Sequence, residues 1–212
     1  MRTKRSLLAI LVVTFLLASF PALSRAQTEA WQIDPAHSAA TFSVRHLMIS
    51  TVRGEFGKMS GVVNLDEKDI SKSSVEVTID TTTINTRVPR RDDDLKSANF
   101  LDVANHPTMT FKSKQIVVAG EGRWKMTGDL TIRGVTKEVT FDVEGPSPPV
   151  NMGRAIVRGA SATTRINRKD FGVAWNRTLE TGTVVVGDEV TIAVDLEFRK
   201  QPPAPAAAPS SK

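Results

Sequence analysis

Apolar and polar residues alternate along most of the chain. In the stretch ATFSVRHLM, residues 40–48, Ala40, Phe42, Val44 and Met48 share one face, and Thr41, Ser43 and Arg45 share the other. His46 falls on the apolar face. Val75, Val77 and Ile79 alternate with Ser74, Glu76, Thr78 and Asp80. The same pattern holds for Met126, Leu130 and Ile132, for Val139, Phe141 and Val143, and for Val190, Ile192, Val194, Leu196 and Phe198. A period of two marks half-buried β-strands, because successive side chains on a strand point to opposite faces. Further strands are predicted near 52–57, 61–65, 108–118 and 155–166. Turn signals separate them at Ala119-Gly120-Glu121-Gly122, Arg133-Gly134, Gly145-Pro146 and Gly187-Asp188.

One segment breaks the alternation: RRDDDLKSANFLDVANHP, residues 90–107, bracketed by Pro89 and Pro107. Asp92, Asp93 and Asp94 suit a helix N-terminus, where carboxylates cap free N–H groups and complement the dipole. Leu95, Ala98 and Phe100 or Leu101 then form a short apolar face. The segment reads as a short helical crossover between strands. The chain is thus all-β, with about eight or more antiparallel strands. Closure into a barrel suits them best because it removes exposed edges, with an open sandwich as the alternative.

The ends differ from the middle. Arg2, Lys4 and Arg5 precede the uncharged run Ser6–Phe20, and Ser24 and Ala26 offer small residues at a cleavage site. This reads as a cleavable secretory signal over 1–26, and therefore as export to the periplasm. The uncharged run has 15 residues, short against the ~20 needed for a membrane-spanning helix. Without this segment, 24 Lys and Arg face 23 Asp and Glu. No basic cluster of the kind that binds nucleic acid remains. The Pro/Ala-rich segment 201–212 is predicted disordered, which leaves one domain over 27–200. There is no cysteine, so no disulfide supports it.

Local motifs for catalysis are missing. His37, His46 and His106 show neither HxxxH nor HExxH spacing, and no GxSxG elbow is present. No metal site is encoded locally. Arg90 and Arg91 read as surface charges, or as one arginine folding over a barrel mouth to hold a polar head group. The inward positions are apolar: Phe42, Val44, Phe56, Phe111, Leu130, Phe141, Ile192 and Val194, with Phe171, Val173 and Trp175 alternating in DFGVAW. Such a set can simply be core, or it can line a ligand cavity. His46 among them costs free energy unless it is hydrogen-bonded, either within the protein or by a ligand.

Five ordered stretches resemble the YceI-like family of exported polyisoprenoid-binding proteins. They are WQIDPAHSAATFSVRHLMISTVRGEF (31–56), RRDDDLKSANFLDVANHPTMTFKS (90–113), GDLTIRGVTKEVTFDV (128–143), INRKDFGVAWN (166–176) and GDEVTIAVDLEF (187–198). The resemblance implies an extended, lipocalin-like antiparallel β-barrel whose internal tunnel holds an isoprenoid chain, as in a quinone or a polyprenyl lipid. No other cofactor is implied. The tunnel wall would include the inward residues named above, with Leu95 and Phe100 from the crossover. His46 and Arg91 would lie where a polar head ends the chain. Transient membrane contact and a homodimer are compatible with such a carrier, and nucleic acid is not an expected partner.

Two functions of different classes follow. A carrier should hold lipid stoichiometrically and lose it when Val44→Trp fills the tunnel. An enzyme acting on a lipid or quinone head group would use His46 with a carboxylate such as Asp93 as acid and base, and His46→Ala would stop turnover without loss of binding. A filled barrel that meets a protein through its outer face is the third reading.

Overall fold

Alternation becomes antiparallel sheet throughout residues 28–200, which the computed structural model describes. The expected export signal and Pro/Ala tail lie outside these residues. Twelve strands form: β1 (Glu29–Ile33), β2 (Ala39–His46), β3 (Ser50–Phe56), β4 (Met59–Leu65), β5 (Ser74–Asp80), β6 (Ile84–Asn85), β7 (Thr108–Gly120), β8 (Arg123–Ile132), β9 (Val135–Glu144), β10 (Val150–Asn151), β11 (Ile156–Asn167) and β12 (Val186–Lys200). One helix, α1 (Pro89–Lys96), lies in the crossover between β6 and β7.

Eight strands close a circuit. The order runs β11-β9-β8-β7-β5-β4-β1-β12, and β12 returns to β11 along its length, from Ile156↔Lys200 to Asn167↔Glu189. Closure leaves no open edge on this circuit, which an open sandwich would have had. The strands β2, β3 and β6 extend it: β12 pairs with β1 at Ile33↔Phe198 and with β2 at Val190↔Val44. Thus β1 and β2 act as one interrupted stave, and β4 and β3 as the next, paired through β1–β4 and β2–β3.

The interruption between β1 and β2 keeps its hydrogen bonds. Asp34 N donates to Glu197 O at 2.8 Å, and the Ser38 hydroxyl donates to Glu197 O at 3.2 Å and accepts from Glu197 N at 2.9 Å. The buried Asp34 carboxylate accepts Ala36 N at 2.9 Å, with Arg199 Nη1 at 3.4 Å. That backbone hydrogen bond, helped by His37 and Arg199 and opposed by burial, holds the Asp34 carboxyl below the usual carboxylate range. A depressed folded-state pKa stabilises the fold at neutral pH, and this contribution is lost as pH falls through the carboxylate range. Wild-type stability is therefore expected to drop more steeply than that of Asp34→Asn between about pH 5 and about pH 3. Parallel slopes in urea unfolding at these pH values would sink this assignment.

Three local expectations are corrected. Helix α1 begins at Pro89, a proline-favoured first position, with Val88 at the cap and no side-chain cap bond. The Asp92–Asp94 run therefore lies inside the helix rather than capping it. Asp92 instead turns back to accept Thr86 N and Oγ1 at 2.8 and 2.5 Å. Gly187-Asp188 is not a turn: it lies inside β12, where the register shifts between Val186 and Val190. Met48 leaves the inward face, because β2 ends at His46 and the chain turns at Leu47 and Met48 with φ of 51° and 61°.

Candidate functional site: an apolar bore in two chambers

The inward faces leave space between them. They surround a cavity of about 190 Å³. By comparison, an apolar cavity of about 150 Å³ already accepts a benzene ring. Aromatic rings shape its wall. Phe111 and Phe141 pack edge to face at 5.1 Å between centroids, and Phe42 meets Phe56 at 5.8 Å. Glycines make room for two of these rings. A Cβ at Gly54 would lie 2.5 Å from Phe42 Cζ, and one at Gly128 would lie 2.7 Å from Phe111 Cζ. Val75, Val77, Ile192 and Val194 line the cavity yet are only half-buried.

A second chamber of about 70 Å³ continues the bore. The two chambers share Val75, Met126, Ala162 and Leu196 as wall residues. Phe198, on the wall of the second chamber, packs edge to face against Trp31 at 5.7 Å between centroids, with Trp31 fully buried. Lys200 Nζ and the Arg158 guanidinium sit over the Trp31 ring at 4.7 and 5.5 Å, and Lys200 also pairs with Glu29. The barrel therefore has a terminus end, where this cluster lies, and a helix end, where Leu95 of α1 and Val173 of the 172–185 loop line the cavity. Arg133 ties the loop to the crossover, donating to Gly172 O and to Ala98 O at 2.5 and 2.8 Å.

Ten of the residues expected at the site lie on the wall: Phe42, Val44, Phe56, Leu95, Phe100, Phe111, Leu130, Phe141, Phe171 and Ile192. Three do not. His46 is half-buried at the end of β2, paired with Val186 and Ser50, and is not part of the cavity wall. It has neither an ion pair nor a side-chain hydrogen bond among the described residues. Arg91 is turned onto its own loop, where Nε donates to Thr86 Oγ1 and Nη2 to Thr86 O, both at 2.8 Å. Trp175 is 37 % exposed and packs against Phe100 at 5.2 Å from outside the bore. Its expected alternation fails because DFGVAW is not a strand: Arg168–Phe171 forms a 3₁₀ turn that ends at Gly172 with φ 75°.

Sequence reasoning missed Arg168. This buried arginine touches the cavity wall, and burial pushes its pKa down, with Asp188 acting against that shift. Every guanidinium N–H is used. Nε donates to Gly187 O at 2.9 Å, and Nη1 to Val173 O and Trp175 O at 2.6 and 2.9 Å. Nη2 donates to Val186 O and Asp188 Oδ1, both at 3.3 Å. No donor is left over for a ligand, so Arg168 holds the loop at the helix end rather than a head group. A further cluster, Asp34, His37 and Glu197, brings one nitrogen and two carboxylates together outside the bore. Arg199 already occupies the Asp34 carboxylate, and the group serves the junction of β1 and β2.

A closed eight-stranded antiparallel barrel with an apolar bore defines the class, a lipocalin-like β-barrel. The chain belongs to the YceI-like family: residues 31–198 match the family model described as YceI-like domain. It is 38 % identical over 166 residues to the UPF0312 protein SA2479 of Staphylococcus aureus (strain N315), covering 78 % of this chain and 94 % of that one. It is similar to the crystal structure of Burkholderia cenocepacia BcnA, with TM-score 0.66 and 27 % identity over 78 % of this chain and 98 % of that one. A polyisoprenoid binding domain from Saccharophagus degradans, implicated in plant cell wall breakdown, shares the fold at TM-score 0.57 and 14 % identity, over 81 % and 98 % of the two chains.

Proposed function

We propose that this protein is a periplasmic carrier that holds one isoprenoid lipid, of quinone or polyprenyl type, in the bore. The observation that carries the proposal is the two-chambered apolar cavity, whose second chamber ends near the Trp31–Phe198 pair. An extended hydrocarbon chain fits such a space better than a compact solute. Each buried CH₂ contributes about 0.8 kcal/mol, so a few isoprene units supply affinity without a polar anchor. The polar head then lies towards the helix end. Family membership supports the reading, the fold shared with a polyisoprenoid binding domain is consistent with it, and the basic-then-apolar pattern of residues 1–26 supports export.

The enzymatic alternative draws no support from the geometry. Asp93 is exposed on α1, and His46 has no carboxylate partner among the described residues. Native mass spectrometry of the processed protein from its own periplasm, followed by solvent extraction, tests the carrier reading. A single bound isoprenoid per chain is the expected result. Protein that arrives empty and also refuses added quinones and polyprenols would overturn it.

A further inference from the structure

The tip of the β2–β3 hairpin is built against its own local preferences. Met48 is 52 % exposed and Ile49 is 79 % exposed, and half-buried Leu47 precedes them. The turn closes with Ile49 N donating to His46 O at 3.1 Å. Its two central residues, Leu47 and Met48, have φ of 51° and 61°. Such turns favour Asn-Gly, because positive φ strains a bulky L-residue. Backbone strain of this kind persists where surrounding structure enforces it, often at functional sites. Here the enforcement is visible. Leu47 N donates to Val185 O at 2.9 Å, and Arg45 Nη2 donates to Met48 O at 2.6 Å while its Nη1 reaches Thr51 Oγ1 at 3.0 Å. The apolar side chains are thus presented on a fixed support.

The tip also has a meaningful position. Val44 and Val186 belong to the cavity wall, and Val186 pairs with His46, next to the tip. The tip therefore prolongs the wall at the helix end of the bore. Exposed Arg45 and Arg53 flank it on the outer face of β2 and β3, and exposed Arg177 lies on the loop that binds Leu47. None of the three has an ion pair among the described residues. Glu180 is the one acidic residue on the 177–185 stretch.

We propose that Met48 and Ile49 insert shallowly into an anionic lipid bilayer and set the helix end of the barrel against it. The proposal rests on the carrier reading, because a water-insoluble chain must enter and leave through a membrane. A bilayer fits this feature better than a protein does. Stable protein interfaces bury about 800 Å² on each partner with matched shapes, whereas a narrow protruding tip needs no shape complement in lipid. Apolar tip residues accompanied by exposed arginines match an anionic interface.

Flotation of the processed protein with phosphatidylcholine vesicles, with and without phosphatidylglycerol, tests this. Wild type should float with the anionic vesicles and float less as salt rises. Met48→Ser with Ile49→Ser should lower vesicle binding by about tenfold or more. Leu47→Asn with Met48→Gly should also weaken vesicle binding, while raising or preserving the melting temperature by relieving the turn. Wild type that ignores both vesicle types, or variants that bind as well as wild type, would overturn the proposal and return the tip to a protein partner. Bound isoprenoid, measured separately on the same preparations, distinguishes the failures. Lipid-loaded protein that ignores vesicles removes only the docking tip, whereas vesicle binding by protein that never takes an isoprenoid removes the carrier reading.

Discussion

Under the proposed carrier function, Ala162→Phe is expected to shorten the isoprenoid chain that the barrel accepts. Ala162 lies on β11, between Val194 of β12 and Val143 of β9, and is nearly fully buried. It is one of four residues common to both chambers, and the smallest of them. A phenyl ring at this point occupies the junction and separates the 70 Å³ chamber from the larger one. Short chains that end above the junction should bind as before. Longer chains lose their terminal carbons from the lower chamber. At about 0.8 kcal/mol per CH₂, excluding two carbons costs about 1.6 kcal/mol, more than tenfold in affinity. Met126, the flexible member of the junction, is the side chain best able to move aside for a native chain. The measurement is a dissociation constant for each member of a graded series of prenyl chains. Equal losses for short and long chains would show overpacking of the whole barrel, which typically costs about 1–3 kcal/mol, and would remove Ala162 as a length determinant.

The inward face was legible in the sequence because its physics is one-dimensional, whereas alternation alone left open whether that face packs solid or lines a cavity. Alternation assigns a side chain to the inner or outer face wherever the backbone stays extended. Phe42, Val44, Leu130, Phe141 and Ile192 therefore reach the wall that their strands predict. The same logic fails once the strand ends, and it fails in both directions. Continuing β2 past His46 put Met48 inside, whereas two positive-φ residues turn it out. Extending alternation through DFGVAW put Trp175 inside, whereas a 3₁₀ turn and Gly172 carry it to the surface. Closed topology was readable only as the best way to satisfy many edges. The return of β12 to β11, and its sharing between β1 and β2, depend on contacts distant in sequence.

Polar residues were harder still. Alternation gives His46 a side but not a depth along the bore, and depth decides that it misses the cavity wall. Charge alone does not separate Arg91 from Arg90, and the family resemblance that singles it out gives no contact; its partner is Thr86, five residues earlier. Arg168 had no distinguishing signal at all. It sits in RINRKD with Arg165 and Lys169, and only Arg168 becomes buried. Its role comes from four carbonyls supplied by segments 173–175 and 186–187, which fold around it.

Arg168→Met is expected to be the most destabilising single change at the helix end. The substitution keeps much of the side-chain volume but removes five N–H donors at once. It leaves the carbonyls of Val173, Trp175, Val186 and Gly187 without that partner, and also Asp188. Each buried carbonyl left unsatisfied costs about 1–3 kcal/mol, so losing several at once is severe. Arg168→Lys should recover little, because an ammonium has three donors and no planar fork to span carbonyls on two segments. Asp188→Asn should cost far less. Asp188 is 43 % exposed on its side chain and also pairs with Lys169 at 2.8 Å, so the ion pair is partly screened by solvent. Urea unfolding of the three variants, with hydrogen exchange at 173–187, measures this ordering. The loop amides should exchange faster in Arg168→Met even where the β7–β9 amides remain protected, and under the proposed carrier function a bound isoprenoid should dissociate faster through the loosened end. If Asp188→Asn proved as damaging as Arg168→Met, the charge pair would hold the loop, and the guanidinium's grip on the backbone carbonyls would be incidental.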